Sequence, residues 1–289
     1  MMNLLTNTGN YLSLVKFSHT VFAMPFALVG FFLASITDGY GFSFKTFLLV
    51  VICMVLARSA AMSFNRLTDY RFDRMNPRTA SREIPSGIIS RKNALVFVVA
   101  SSVLFIITTA FINNLTLLLS VPALAIVLGY SYTKRFTPLC HLILGLGLSL
   151  APIGAYISVT GHFAFLPLVY SAIVITWVSG FDIIYALQDD EFDRSAGLFS
   201  LPAVLTRYKA LSISVVLHVM TALLVFAAGY LGEAGMLYWI GTVLFLILLV
   251  YQHIIVKPDD LSRVTLAFGT MNGMAGLLFG LFVILDILI

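Results

Sequence analysis

The sequence predicts an all-α membrane protein with nine transmembrane helices. Of its 289 residues, 60% are hydrophobic and only 10% are charged, and the mean hydropathy is +1.00. The apolar runs are continuous instead of alternating, which favours helices over the strands of a membrane barrel. Most runs approach the about 20 residues that a helix needs to cross the hydrocarbon core.

Nine apolar segments are expected to cross the membrane. They cover residues 13–35, 44–66, 93–113, 115–132, 139–159, 164–187, 210–230, 236–255 and 265–288. Only the Asn113-Asn114 pair separates the third segment from the fourth. Because few residues remain outside these segments, residues 1–289 are expected to form a single membrane domain.

The positive charges predict how the chain is oriented. All of the 17 Lys and Arg residues except Lys45 and Arg58 fall on one side of the nine spans. Cytoplasmic loops carry an excess of Lys and Arg, so we expect a cytoplasmic N-terminus and an external C-terminus in a bacterial inner membrane. Because the positive charges follow the membrane topology, the net charge of +4 does not indicate a nucleic-acid partner.

Two acidic clusters stand at the cytoplasmic ends of the second and sixth spans. In the first, Asn65, Asp69 and Asp73 are four residues apart, which places them along one face of a helix. The second repeats this interval with Tyr185, Asp189 and Asp193, and Asp69 and Asp189 are 120 residues apart. This offset indicates a duplicated unit of four helices with a ninth helix added, an arrangement that often binds ligands at the repeat interface.

These oxygen donors predict a magnesium site. Mg²⁺ binds through one or two carboxylates and takes substrate phosphates as further ligands. The expected ligands for one or two ions are Asn65, Asp69, Asp73, Asp189 and Asp193. The alternative is that both clusters are solvated acidic helix ends at the membrane surface.

Two charged residues are expected deeper in the membrane. Asp182 lies seven residues before Asp189, and Arg58 lies seven residues before Asn65. An ionisable side chain at such a depth is costly unless it is paired, so each is a candidate functional residue. Arg58 suits a carboxylate or a phosphate. The alternatives are an arginine paired with an acid purely for packing, and a pair between Arg58 and Asp182.

Four further cations are candidates for binding a diphosphate. Arg78 and Arg82 belong to the long polar loop after the second span, and Lys134 and Arg135 end the fourth span. Their alternative role is the ordinary positive-inside signal or contact with anionic lipid headgroups. The histidines, including His19 and His141, share no ligand spacing, and Cys53 and Cys140 form no CxxC motif, so neither a zinc site nor a disulfide is expected.

In these motifs the chain resembles the UbiA superfamily of intramembrane prenyltransferases, and within it the 4-hydroxybenzoate polyprenyltransferases, including relatives in menaquinone synthesis by the futalosine route. The residues that carry the resemblance are Asn65-x3-Asp69-x3-Asp73, Arg78-Thr79-x2-Arg82, Ser86-Gly87, Tyr132-x-Lys134-Arg135-x-Thr137, Ala151-Pro152-x-Gly154-Ala155, Asp182-x2-Tyr185-Ala-x-Gln188-Asp189-x3-Asp193, Gly197 and Ser200.

The resemblance implies a UbiA-like fold of nine helices around a central cavity. It also implies an enzyme in which Mg²⁺ holds a polyprenyl diphosphate on both acidic motifs, with the tail in a lateral opening to lipid. Departure of the diphosphate would give an allylic cation, which attacks the ring carbon beside a phenol hydroxyl. The ring faces of Tyr185 and Phe181 are suited to stabilise such a cation, and Arg58 to bind the carboxylate of the aromatic acceptor.

The acceptor stays open at this point. Many relatives have Arg-Pro-Leu where this chain has Arg82-Glu83-Ile84, and many have Arg where Tyr70 stands here. 4-Hydroxybenzoate is preferred, and 1,4-dihydroxy-6-naphthoate, 1,4-dihydroxy-2-naphthoate and haem are the alternatives. A secondary transporter is the alternative outside enzymes, but its binding groups would be expected nearer the bilayer midplane. No obligate protein partner is expected.

Overall fold

A computed structural model describes residues 4–15 and 24–289. Part of the first predicted span, together with His19, therefore lies outside the described residues. The helices are α1 (Leu4–Leu14), α2 (Met24–Phe32), α3 (Phe44–Thr68), α4 (Tyr70–Met75), α5 (Arg91–Ala110), α6 (Asn114–Thr133), α7 (Cys140–Thr160), α8 (Phe165–Ala186), α9 (Asp190–Ser195), α10 (Leu201–Val204), α11 (Arg207–Leu231), α12 (Met236–Ile255) and α13 (Asn272–Leu288).

The described residues confirm a helical membrane protein. Eight helical segments are long and apolar enough to cross a bilayer, and a shorter apolar helix covers Met24–Thr37. This shorter helix overlaps the first predicted span, so the described residues leave the count of nine untested. Neither described range contains a β-strand.

Side-chain caps explain where several long helices begin. Ser43, Ser90, Asn113 and Thr206 each accept a hydrogen bond from the backbone N–H three residues later, which satisfies a donor that the first helical turn leaves unpaired. Asn113 also donates to the carbonyl of Ile157 at 2.9 Å. The Asn113-Asn114 pair therefore separates two spans, as the sequence predicts.

The second half of the chain repeats the helix order of the first. A long helix that ends in an acidic motif, α3 or α8, is followed by a short helix of 6 residues, α4 or α9. Two further long helices then follow, α5 and α6 in the first half and α11 and α12 in the second. This order agrees with the predicted duplication.

The core surrounds α8. In the span that begins at Phe165, 72% of the 18 most apolar consecutive residues are buried inside the protein, compared with 17% to 44% in the other described spans. The Trp177 ring lies 5.3 Å from that of Phe26 and 5.6 Å from that of Phe245, between centroids. Because its neighbours hold α8 from several sides, the second acidic motif at its end has a rigid support.

Helices α2 and α7 approach each other closely at Gly30. A Cβ atom at this position would overlap the backbone carbonyl oxygen of Pro152, and small residues permit such close packing in membranes. We expect Gly30→Ala to lower stability by about 1–3 kcal/mol through overpacking, seen as a lower Tm in detergent. Gly129→Ala on α6 is the matched control, since its Cβ would meet nothing within 4 Å. Equal Tm values for both variants would contradict this contact.

Candidate active site

A polar cavity of ≈ 290 Å³ lies at the end of the helix bundle where α3, α6 and α8 terminate. Every candidate site residue from the sequence lines it. These residues are Arg58, Asn65, Asp69, Asp73, Arg78, Arg82, Lys134, Arg135, Asp182, Tyr185, Asp189 and Asp193. The two acidic motifs therefore face one shared space.

Each motif lies where a long helix ends and a short one begins. In the first motif the side chains of Asn65 and Asp69 remain in contact at 3.2 Å, as their four-residue spacing predicts. Helix α3 ends at Thr68, and Asp69 has φ −85° and ψ 6° before α4 begins. Helix α8 ends at Ala186 and continues as a 3₁₀ turn over Leu187–Asp189. The tighter 3₁₀ winding changes the direction of the following side chains, and both breaks fall at the first acid of a DxxxD motif.

All four motif carboxylates are paired with cations. Arg82 Nη1 lies 2.6 Å from Asp73, Lys134 Nζ lies 2.8 Å from Asp193, Arg135 lies 3.3 Å from Asp69, and Arg78 forms two bonds with Asp189. The pairs of Asp189 and Asp193 join the first half of the chain to the second. Four cations and four carboxylates thus balance one another in the cavity wall.

The electrostatics of the site reflect burial of these charges. Burial, followed by repulsion from Asp73, raises the pKa of Asp69 to about 6 although Arg135 opposes the shift. Burial alone would lower the pKa of the Lys134 ammonium, but the Asp193 carboxylate raises it above its ordinary value. Burial therefore outweighs the contact of Asp69 with Arg135, and the contact with Asp193 holds Lys134 in its charged form.

The donor set fits a hard divalent cation. The described residues hold no preformed group of three His, Cys, Asp or Glu side chains around a metal position, because cations occupy the carboxylates. Asp73 Oδ2 is nevertheless buried without a hydrogen-bond partner. Asn65 donates its amide to Asp69 at 3.2 Å, which leaves its oxygen for another partner. Carboxylate and amide oxygens are ligands that magnesium accepts.

Tyr185 presents a ring that already contacts a cation. The Arg78 guanidinium carbon lies 5.2 Å from the ring centroid, and Arg78 Nη1 donates to the Tyr185 hydroxyl at 2.8 Å. The Phe268 ring stacks on Tyr185 with centroids 4.0 Å apart. This arrangement supports the ring at the cavity wall and favours positive charge beside it.

Asp182 has a partner that the sequence analysis did not identify. His141 Nδ1 lies 2.6 Å from Asp182 Oδ2, so the alternative that Arg58 pairs with Asp182 is wrong. The sequence signal for this pair is membrane depth and not residue spacing. His141 lies near the start of the fifth span and Asp182 near the end of the sixth, so both lie toward the same side of the membrane. Asn76 is a second missed residue, and its amide donates to Asp189 at 2.8 Å.

An apolar cavity of ≈ 200 Å³ adjoins the polar one. Arg58, Tyr130, Leu144 and Leu148 line both cavities. From there the apolar cavity extends between α3, α5, α6 and α7 as far as Ser158. From Leu144 to Ser158, α7 rises about 20 Å at 1.5 Å per residue, so the cavity crosses much of the hydrocarbon region.

Comparison with known proteins assigns the chain to a family. The UbiA prenyltransferase family matches residues 23–282. The chain is 31% identical over 232 residues to the 4-hydroxybenzoate octaprenyltransferase of Aliivibrio fischeri (strain MJ11), with 79% of each chain covered.

Solved structures show the same relationship. The apo structure of a UbiA homolog from Aeropyrum pernix K1 is 34% identical, with a TM-score of 0.84 over 93% of this chain and 98% of that one. A UbiA homolog from Archaeoglobus fulgidus bound to GPP and Mg²⁺ shares the fold at 21% identity, with a TM-score of 0.73 over 95% of this chain and 99% of that one. The chain therefore belongs to the UbiA prenyltransferase family and is an integral multi-pass membrane enzyme of that family.

Proposed function

We propose that the protein transfers a polyprenyl group from a polyprenyl diphosphate to the aromatic ring of 4-hydroxybenzoate or a closely related quinone precursor, with Mg²⁺ as cofactor. The observation that carries this proposal is the joining of two cavities. One is lined by carboxylates and basic side chains, including the four ion pairs of the acidic motifs, and the other is apolar and extends along α7. A diphosphate with a long hydrocarbon tail has this combination of chemistries.

The basic residues of the site bind the diphosphate in this proposal. These side chains form ion pairs with the motif carboxylates in the structure: Arg78, Arg82, Lys134 and Arg135. On substrate binding, each would donate some of its hydrogen bonds to phosphate oxygens instead. The released oxygens of Asp69, Asp73, Asp189 and Asp193, with Asn65, would hold the metal. Bound Mg²⁺ would supply neutralisation of the charge that develops on the leaving diphosphate.

The apolar cavity has two tasks in the proposal. It binds the hydrocarbon tail, since burial of apolar surface is favourable, and it keeps water away from the allylic carbon, since water would trap a cation formed there. Tyr185 and Phe181 line the polar cavity, and their ring faces would stabilise the positive charge.

Arg58 supports an acceptor that carries a carboxylate. It stands where the two cavities meet, and its Nε atom is buried without a hydrogen-bond partner. A buried guanidinium of this kind suits an anionic group of a ligand. 1,4-Dihydroxy-6-naphthoate and 1,4-dihydroxy-2-naphthoate share a carboxylate and a phenol with 4-hydroxybenzoate, so they remain candidate acceptors; haem is the more distant one.

The topology completes the proposal. The site lies at the membrane end to which the long loop of residues 76–90 also belongs. Under the positive-inside rule this end is cytoplasmic, and the membrane is a bacterial inner membrane. The partners in this proposal are the prenyl donor and the aromatic acid, with Mg²⁺ as cofactor.

Activity of the purified protein tests this proposal. The protein in detergent would be incubated with Mg²⁺, a polyprenyl diphosphate and each candidate acceptor in turn, and products would be measured by mass. We expect a prenylated 4-hydroxybenzoate or dihydroxynaphthoate that requires both substrates and is lost on chelation of the metal. Absence of product with every aromatic acid, under conditions where the protein binds the diphosphate, would overturn the proposed acceptor class.

A further inference from the structure

A histidine–aspartate pair lies in the wall of the polar cavity, apart from the candidate metal ligands. His141 is 2% exposed and lies in the first turn of α7, and the Asp182 side chain is 22% exposed and belongs to α8. Their side chains are joined at 2.6 Å between Nδ1 and Oδ2. Along α8, Asp182 is seven residues, or about 10 Å, before Asp189. The pair is therefore deeper in the membrane than the acidic motifs.

The surroundings of His141 define which nitrogen carries the proton. The backbone N–H of Leu201 donates to Nε2 at 3.2 Å, so Nε2 must offer a lone pair. The proton of the neutral ring then stands on Nδ1 and is donated to the Asp182 carboxylate. The backbone carbonyl of His141 also accepts from Ser179 at 3.1 Å, which fixes α7 against α8 at this point.

The same contacts connect the pair to the second acidic motif. Ser200, the neighbour of Leu201, donates its hydroxyl to Asp193 at 2.7 Å. One short segment, Ser200-Leu201, thus holds both Asp193 and His141. The imidazole is therefore fixed on both sides, by the backbone at Nε2 and by the carboxylate at Nδ1.

This arrangement leaves one oxygen of Asp182 for a ligand. His141 occupies Oδ2, and in the described part of the chain no side chain or backbone donor bonds to Oδ1. Asp182 lines the polar cavity together with Arg58 and Tyr130. A carboxylate oriented by a histidine, in the wall of a cavity that can hold the acceptor ring, is suited to accept a proton.

We propose that Asp182 accepts the proton that the acceptor ring loses on prenylation, and that His141 is the positioning residue that directs it; this inference rests on the proposed function. The C–O bond of the prenyl diphosphate breaks, and its electron pair leaves with the diphosphate. The ring carbon forms the new C–C bond with its π electrons. The C–H bond at that carbon then breaks, its electron pair restores the aromatic ring, and the proton goes to the Asp182 carboxylate.

Two substitutions at His141 separate positioning from simple packing. The side-chain amide of His141→Asn lies near the position of Nδ1 and can still donate to Asp182. The amide of His141→Gln reaches the position of Nε2, where its oxygen can accept from Leu201 but no donor remains for Asp182. Outer groups that orient a functional residue are commonly worth 10- to 100-fold. We therefore expect kcat to fall by about 10- to 100-fold in His141→Gln and much less in His141→Asn.

An isotope effect reports the proton transfer itself. An acceptor deuterated at the ring carbons beside the hydroxyl should react more slowly than the ordinary acceptor in His141→Gln, by a larger ratio than in the wild type, because removal of the ring proton now limits the rate. The KM for the prenyl diphosphate should remain unchanged. Rescue of both rate and isotope ratio by His141→Asn would support positioning.

Other outcomes would overturn the inference. They are equal losses in His141→Asn and His141→Gln, or a slow His141→Gln enzyme with the isotope ratio of the wild type. If His141→Gln does not fold, Asp182→Asn provides the same measurement, and a loss of rate there without a larger isotope ratio would also overturn it. Failure of the proposed function is distinguishable, because the wild-type protein would then form no prenylated phenol with either acceptor.

Discussion

Asp189→Asn should reduce product formation by roughly 10³-fold or more, because Asp189 is proposed to hold the metal ion and Arg78, and positive charge placed at a developing anion is worth several kcal/mol. Asp189 accepts hydrogen bonds from Asn76 and from two nitrogens of Arg78, so it is the most highly connected of the motif acids. Asparagine keeps the size of the side chain but removes the negative charge. The variant would lose a proposed ligand of Mg²⁺ and the ion pair that orients Arg78, while the fold is kept.

The neighbouring residue gives a matched control for this prediction. The Asp190 carboxylate binds Arg207 at 2.7 and 2.9 Å and does not line the polar cavity. Asp190→Asn therefore makes the same chemical change one residue away and should retain nearly full activity. Steady-state turnover of both variants, with Tm as a check on folding, is the measurement. Full activity in Asp189→Asn would contradict the metal assignment, as would an equal loss in Asp190→Asn.

The site composition could be predicted from the sequence because it depends on local spacing and on membrane depth. DxxxD motifs at the inner ends of two spans, with cations in the adjacent loops, leave few places for these side chains except one membrane face. The observed cavity contains all of them. The length of the apolar runs likewise predicts the eight long membrane helices of the described residues, while the count of nine stays a prediction.

Pairings between distant residues could not be predicted in this way. Arg58 and Asp182 occupy comparable depths, and opposite charges in a membrane are expected to pair. The structure instead brings His141 to Asp182, because α7 and α8 are adjacent antiparallel helices and the segment after α9 returns Leu201 to the imidazole. Such a contact depends on which helices are neighbours, and spacing along the chain does not contain that information.

The helix breaks at Asp69 and over Leu187–Asp189 were missed for a different reason. Periodicity places residues four apart on one face only while the helix is regular. Here neither break contains proline or glycine, the usual sequence signals of interruption. Asp73 and Asp193, on the short helices α4 and α9, form ion pairs with Arg82 and Lys134 outside those helices, and such tertiary contacts can override local helix propensity.

Arg58→Gln should weaken binding of a carboxylated acceptor while leaving binding of the prenyl diphosphate nearly unchanged. Arg58 has no carboxylate within salt-bridge distance among the described residues, and it stands where the polar and apolar cavities meet. A hydrogen bond to a charged group contributes about 1.5–3 kcal/mol. The KM for 4-hydroxybenzoate is therefore expected to rise by about 10- to 100-fold.

A neutral acceptor makes this prediction specific to the carboxylate. 4-Hydroxybenzamide keeps the phenol and the ring but lacks the negative charge, so the wild-type enzyme should prefer 4-hydroxybenzoate, and Arg58→Gln should abolish most of that preference. The two acceptors and two proteins form a cycle in which the interaction between guanidinium and carboxylate is isolated from other effects of the substitution. Arg58→Lys retains charge without the planar fork and should fall between the two. An unchanged preference in Arg58→Gln, together with a higher KM for the diphosphate, would instead assign Arg58 to the prenyl donor, and the acceptor carboxylate would then need another partner in the cavity.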